Sequence, residues 1–129
     1  MELPEFAPGT AARVELTVTE ADTAQSLGSG DVPVLATPRV LALAEAATVA
    51  ATARQMPGGV TTVGTRAEIE HRVATPVGRT VVATATLAKV DGRKLLFEVV
   101  VRDGETTVAE VRVERALLDR QRFIEKACS

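Results

Sequence analysis

Hydrophobic and polar residues alternate along five segments of the chain with a period of two, which is typical of β-strands. In the first segment, Val14, Leu16 and Val18 alternate with polar residues. The pattern predicts half-buried strands over residues 13–19, 61–74, 80–90, 94–102 and 106–118. Asp91-Gly92 and Asp103-Gly104 separate the last three of these strands. Asp-Gly between alternating strands predicts tight hairpins at both places.

A segment between the first and second predicted strands is apolar on almost every side of a helix. Residues 40–53 are mostly Ala, Val and Leu, and Pro57-Gly58-Gly59 ends the segment. Thr37 followed by Pro38 has the form of an N-cap with proline in the first turn. We therefore expect a helix over residues 38–55, and an almost uniformly apolar helix is expected to be buried.

The order of these elements predicts an α+β protein with a hot-dog fold. One strand is followed by a loop over residues 21–33, the long helix and four strands, which short turns such as residues 75–78 would join into an antiparallel meander. A long apolar helix is hidden when a sheet curves around it. We expect a curved antiparallel sheet of about five strands around a long central helix, with residues 1–129 forming one domain.

Composition and charge argue against several classes of function. Hydrophobic residues make up 46 % of the chain and aromatic residues only 2 %, so Val, Leu and Ala must build the core. A net charge of −2 offers no electrostatic basis for binding nucleic acid or an anionic membrane. One histidine and one cysteine cannot supply a usual zinc site. The absence of a long apolar run and the acidic N-terminus favour a cytoplasmic protein.

Three polar residues lie where the pattern predicts burial. Glu45 interrupts the apolar helix, and an unpaired buried carboxylate is costly. His71, the only histidine, shares the parity of Val63 and Ile69 on the inner side of its strand. Arg115 shares the inner parity of the last strand, where a guanidinium requires a carboxylate or a phosphate. The alternatives to a functional site are an exposed helix edge for Glu45, a hydrogen-bonded core position for His71 and an open strand end for Arg115.

Thr37 is either a plain N-cap or part of a site at the helix N-terminus, where free N–H groups favour an oxyanion. Because eight helical residues span about 12 Å, Thr37 and Glu45 cannot touch along one continuous helix. Either the regular helix begins well after Thr37, or a site that contains both residues combines two subunits. An unpaired sheet edge also favours a dimer.

The motifs around these residues resemble the fluoroacetyl-CoA thioesterase-like family of hot-dog thioesterases. They are Leu35-Ala36-Thr37, Leu43-Ala44-Glu45-Ala46-Ala47, Val63-Gly64-Thr65, the run HRVATPVGRTV over residues 71–81, and the tail over residues 114–123. The resemblance covers about residues 8–123, and the run over residues 71–81 is its most specific part.

The resemblance implies that Thr37, Glu45 and His71 are catalytic and that Gly64 and Arg115 bind substrate. The implied reaction is hydrolysis of a small acyl-CoA thioester to an acid and free CoA, with Glu45 as general base or nucleophile. CoA is then part of the substrate, and no metal or other cofactor is expected. The resemblance also implies a homodimer or a tetramer. The family's loop before the helix carries an aromatic lid, whereas residues 26–34 contain no aromatic, so the acyl group stays open.

Two other functions are compatible with this fold. Hot-dog hydratases use an aspartate a few residues before a histidine, and no aspartate lies close before His71. The second alternative is a non-catalytic protein that binds acyl-CoA or another small ligand. Glu45 and His71 on inner faces argue against it, because binding an acyl chain requires neither residue. Release of a thiol from acyl-CoA would distinguish the thioesterase from the binding protein.

Overall fold

The strands and the long helix lie close to where the pattern predicts them in the computed structural model, which describes all residues 1–129. In chain order the elements are β1 (Ala11–Thr17), a 3-10 turn (Glu20–Asp22), α1 (Ala24–Leu27), α2 (Thr37–Thr52), a second 3-10 turn (Ala53–Gln55), β2 (Val60–His71), β3 (Thr80–Asp91), β4 (Lys94–Asp103), β5 (Thr106–Asp119) and α3 (Arg120–Ala127). The predicted loop thus contains a 3-10 turn and α1, and the tail adds the short helix α3.

The five strands form one antiparallel sheet in the order β1-β3-β4-β5-β2. The two hairpins predicted from the Asp-Gly pairs join β3 to β4 and β4 to β5. The expected four-strand meander is wrong, because β2 pairs with β5 and β3 pairs with β1. Residues 72–79 carry the chain between the two sides of the sheet. Backbone hydrogen bonds from Leu35 to Thr75 and from Gly78 to Val18, both 2.8 Å, hold this connection.

Helix α2 packs on the sheet and contacts all five strands. Its side chains Val40, Leu43, Ala44 and Ala47 are fully buried in the core, which also contains Phe97. The opposite side of the helix is exposed at Ala42, Ala46, Val49 and Ala50. The expectation that the helix is buried on every side is therefore wrong for this face, because one sheet covers only one side of the helix. No helix combines the length and the hydropathy that a membrane span requires.

A β-bulge in β2 decides which of its side chains face α2. The pairing of β2 with β5 shifts by one residue at Thr65. Gly64 lies opposite the buried Arg115 and faces the inner side of the sheet, as His71 does further along the strand. Val63 then faces outward, and its expected inner parity is wrong because one extra residue reverses the alternation.

Candidate functional site

Thr37 and His71 form a direct hydrogen bond. The distance between Thr37 Oγ1 and His71 Nδ1 is 2.8 Å. Thr37 is the first residue of α2, with Ala36 as the N-cap and proline as the next residue. The interpretation of Thr37 as the N-cap is therefore wrong, since the helix begins one residue earlier than that interpretation requires. The Thr37 hydroxyl is consequently free to bind His71 instead of the helix backbone.

The partly buried position of His71 favours the neutral imidazole. Burial lowers the pKa of His71 below its ordinary value of 6.5, and an interaction with the Val73 backbone opposes this only in part. Nε2 is buried and has no hydrogen-bond partner. A neutral imidazole has one donor and one acceptor nitrogen. With the proton on Nε2, Nδ1 accepts a hydrogen bond from the Thr37 hydroxyl.

The N-terminus of α2 offers a free backbone donor beside this pair. The N–H of Thr37 has no hydrogen-bond partner, and the following residue, Pro38, has no N–H. Unpaired N–H groups and the positive end of the helix dipole stabilise negative charge at this position. A hydroxyl, an imidazole and a free N–H group thus converge at one point, which suits a reaction that develops an oxyanion.

Glu45 lies in a second cluster, where it forms an ion pair with Arg115. Arg115 Nη1 donates to Glu45 Oε2 at 3.2 Å, Nε donates to the Thr62 hydroxyl at 2.9 Å, and Nη2 donates to the Thr62 carbonyl at 3.2 Å. The Arg115 side chain is 8 % exposed and that of Glu45 is 40 % exposed. Burial lowers the pKa of Arg115 while Glu45 opposes the shift. The guanidinium stays charged, because arginine is not deprotonated in proteins.

Gly64 leaves the space that the Glu45 carboxylate occupies. A Cβ atom at residue 64 would collide with Oε2 of Glu45, and it would lie 3.4 Å from Nη1 of Arg115. Gly64 does not have a positive φ. The position therefore requires the absence of a side chain and not the conformational freedom of glycine. Gly64 and Arg115 together determine where the carboxylate of Glu45 points.

Within one subunit, the five predicted site residues form two separate half-sites. The first half-site contains Thr37 and His71, and the second contains Glu45, Gly64 and Arg115. Because α2 is continuous from Thr37, the two half-sites are about 12 Å apart along the helix. They are roughly 20 Å apart along β2. The alternative in which the helix begins well after Thr37 is thereby wrong.

A cavity of about 310 Å³ adjoins the first half-site, where Thr37 and His71 contribute to its lining. The other lining residues are Ala24, Ser29, Gly30, Val32, Val34, Leu35, Arg72, Val73 and Ala74. A larger cavity of about 680 Å³ lies between residues 1–5 and residues 54–60 and contains none of the predicted site residues. No group of three or more His, Cys, Asp and Glu side chains is arranged to hold a metal ion.

The sequence patterns missed two residues that support these half-sites. Asp22 accepts hydrogen bonds from the N–H and hydroxyl of Thr19, at 2.8 and 2.9 Å, and from Arg39 Nε at 3.0 Å. Burial raises the pKa of Asp22, but these hydrogen bonds outweigh it and hold the pKa below its ordinary value. Asp22 thus ties the loop before α2 to the first turn of the helix. The spacing of Thr19 and Asp22 is a signal for this capping arrangement. Thr62, the second missed residue, has no such local signal.

Comparisons of sequence and of structure with known proteins both lead to one family. The family model described as fluoroacetyl-CoA-specific thioesterase matches residues 18–121. A fluoroacetyl-CoA thioesterase from Streptantibioticus cattleyicolor is 37 % identical over 90 residues, which cover 70 % of this chain and 65 % of that relative. A solved fluoroacetyl-CoA thioesterase structure is 30 % identical with a TM-score of 0.87 and covers 95 % of this chain and 96 % of that one.

The hot-dog fold predicted from the sequence is confirmed by these similarities. A hot-dog-like protein from Thermanaerovibrio acidaminovorans has a TM-score of 0.84 at 22 % identity, and the match covers 92 % of this chain and 88 % of that chain. At this identity the similarity supports the fold alone. The match to the Streptantibioticus relative spans less than two thirds of that protein's length.

Proposed function

This chain belongs to the fluoroacetyl-CoA-specific thioesterase family, and we propose that it hydrolyses small acyl-CoA thioesters to a carboxylic acid and free CoA. The observation that carries the proposal is the 2.8 Å hydrogen bond between Thr37 and His71 at the open N-terminus of α2. This arrangement puts a hydroxyl, an imidazole and a free N–H beside one cavity, as an acyl-transfer reaction requires.

In the proposed mechanism, the thioester carbonyl lies against the N-terminus of α2. The N–H of Thr37 and the helix dipole stabilise the oxyanion, while His71 holds the Thr37 hydroxyl and exchanges a proton with it. Glu45 acts in one of two ways. As a general base it takes a proton from the attacking water; as a nucleophile it forms an anhydride that water then hydrolyses. Either way the C–S bond breaks, and the CoA thiolate leaves and takes up a proton.

A homodimer would bring the two half-sites together. Strand β2 lies at an edge of the sheet, because it pairs only with β5. Antiparallel pairing of two β2 strands about a two-fold axis near Ala67 and Glu68 would bring the partner subunit's Gly64 close to His71. The partner subunit's Glu45, which lies against Gly64, would then approach the thioester carbonyl. Each dimer would contain two complete sites, both shared between subunits.

The charges on β2 fit this arrangement. Arg66, Glu68 and Glu70 point to the outer face of the sheet, and Arg66 lies 3.1 Å from Glu68 in its own strand. A two-fold axis at Ala67 would set Arg66 opposite the partner subunit's Glu68. An axis at Glu68 would set it opposite the partner subunit's Glu70. Such cross-strand pairs contribute about 0.2–1 kcal/mol each, so they favour a register more than they stabilise the dimer.

The test of the proposed function is release of free thiol from a panel of acyl-CoA thioesters. We expect turnover that is unchanged by a metal chelator, and sedimentation of a species heavier than the 13.6 kDa chain. Binding of acyl-CoA without release of thiol would support a non-catalytic binding protein instead. Activity that is lost with a chelator and restored by zinc would contradict the metal-free mechanism.

Gly64→Ala is expected to lower kcat, because the new Cβ displaces the carboxylate of Glu45. A misplacement of about 1 Å can cost roughly 10²-fold in rate. Gly58→Ala is the matched control, since nothing lies within 4 Å of a Cβ there and the residue has no positive φ. Steady-state kinetics on both variants measure the difference. Equal kcat values for the two variants would contradict the role of Gly64.

The pH dependence of kcat/KM is expected to reflect His71. Because burial lowers the pKa of His71, the neutral form dominates above pH 6.5 and activity falls only at a lower pH. When His71 is protonated, Nδ1 carries a hydrogen and can no longer accept the proton of the Thr37 hydroxyl. The control is His71→Asn, whose remaining activity should lack this acidic decline. Activity of the unmodified protein that declines already on going from pH 8 to pH 6.5 would contradict this assignment.

A further inference from the structure

We propose that the cavity beside Thr37 and His71 holds the acyl group, and that the preferred substrates carry an aliphatic chain longer than acetyl. The inference rests on the proposed thioesterase function and adds the class of acyl group. Its starting point is the cavity of about 310 Å³ that opens next to the Thr37–His71 hydrogen bond.

The volume of the cavity is larger than a two-carbon acyl group needs. A water molecule takes up about 30 Å³ in the liquid, and a methylene group is of comparable size. The cavity therefore has room for a chain of several carbon atoms. An acetyl group would leave most of it filled by water, whereas a longer chain would displace that water and bury apolar surface.

Away from the Thr37–His71 pair, the lining of the cavity is mostly apolar, with Ser29 and Arg72 as its other polar side chains. Six apolar side chains line it: Ala24, Val32, Val34, Leu35, Val73 and Ala74. No Phe, Tyr or Trp lies in the lining, so the apolar walls are made of small and branched side chains. Such walls adapt to an aliphatic chain, and the Ser29 hydroxyl is their one uncharged polar side chain.

The one charged residue of the lining is not available to a charged substrate group. The Arg72 guanidinium donates to Glu70 at 2.7 Å and to Glu110 at 3.0 Å. These carboxylates already neutralise it, so neither a second carboxylate on the acyl group nor a CoA phosphate gains a free cation here. The cavity thus favours an uncharged chain.

The walls of the cavity are held in place by hydrogen bonds within the loop. Ala24 N donates to the Val34 carbonyl at 2.9 Å, and Gln25 N donates to the Val32 carbonyl at 3.1 Å. The Asp22–Arg39 ion pair ties the same loop to α2. A cavity of this kind is formed before the substrate binds, and a preformed pocket selects by size.

The test compares acetyl-, butyryl-, hexanoyl- and octanoyl-CoA as substrates of the unmodified protein and of two Val34 variants. We expect kcat/KM for hexanoyl-CoA to exceed that for acetyl-CoA by about tenfold or more. Val34→Phe should fill the cavity and lower this ratio by roughly tenfold. Val34→Ala should enlarge the cavity and shift the preference to longer chains. Leu27→Phe, on an exposed side chain of the same loop that does not line the cavity, is the matched control.

The outcomes separate this inference from the proposed function. A preference of the unmodified protein for acetyl-CoA would overturn the inference. If Val34→Phe lowered kcat/KM equally for all chain lengths, the inference would also be overturned. The cavity would then hold the arm of CoA, which all the substrates share. If no acyl-CoA of the panel were hydrolysed by the unmodified protein, the proposed function itself would be wrong. Thermal unfolding of each variant verifies that the fold is retained.

Discussion

Glu45→Gln is expected to lower kcat by roughly 10²–10⁴-fold or more while the protein stays folded. The substitution removes the group that either takes the proton from water or attacks the thioester, so both mechanisms predict the loss. Glutamine keeps an oxygen that accepts the hydrogen bond from Arg115 Nη1, now 3.2 Å from Oε2 of Glu45. The buried guanidinium therefore retains a partner. Thiol release and thermal unfolding, measured on the same preparation, test both parts of the expectation.

A surface glutamate provides the matched control for this substitution. Glu105 is exposed in the turn between β4 and β5 and belongs to neither half-site. Glu105→Gln should keep the activity of the unmodified protein. Full activity of Glu45→Gln would show that the reaction does not use this carboxylate, and it would remove the main support for the proposed mechanism.

Mixing two inactive variants is expected to restore activity. In a dimer of one Glu45→Gln chain and one His71→Ala chain, one site combines the intact His71 of the first chain with the intact Glu45 of the second. The other site carries both substitutions. Random pairing makes half of the dimers mixed, so we expect about a quarter of the activity of the unmodified protein. The measurement is thiol release after the two chains are co-expressed, compared with each variant alone.

The control pair takes both substitutions from one half-site. Thr37 and His71 contact each other within one subunit. In a mixed dimer of Thr37→Val and His71→Ala, every site would lack one of the two residues, so no activity should return. Two results would contradict a site shared between subunits. One is activity that returns in the control pair, and the other is activity that stays absent when Glu45→Gln is mixed with His71→Ala.

The sequence by itself determined the five strands and the long helix, with limits to within a few residues, but not the short helices α1 and α3. Alternation of apolar and polar residues depends on the backbone geometry of each strand, and the end of the helix depends on Pro57 and the glycines after it. The Asp-Gly hairpins are equally local. Glu45 and His71 stood out because each interrupts an apolar face, which is also a local property. Their grouping with Thr37, Gly64 and Arg115 came from the resemblance of motifs.

Only the tertiary structure decided which strands are neighbours and which of the predicted site residues meet. Periodicity shows which face of a strand is buried, but β2 is paired with β5 by contacts between residues far apart in the chain. One extra residue at Thr65 turns Gly64 inward without any change in composition. The ion pair of Glu45 with Arg115 joins residues 70 positions apart. The division into two half-sites follows from the continuity of α2 beyond Thr37, because a rigid helix separates residues that a flexible loop could bring together.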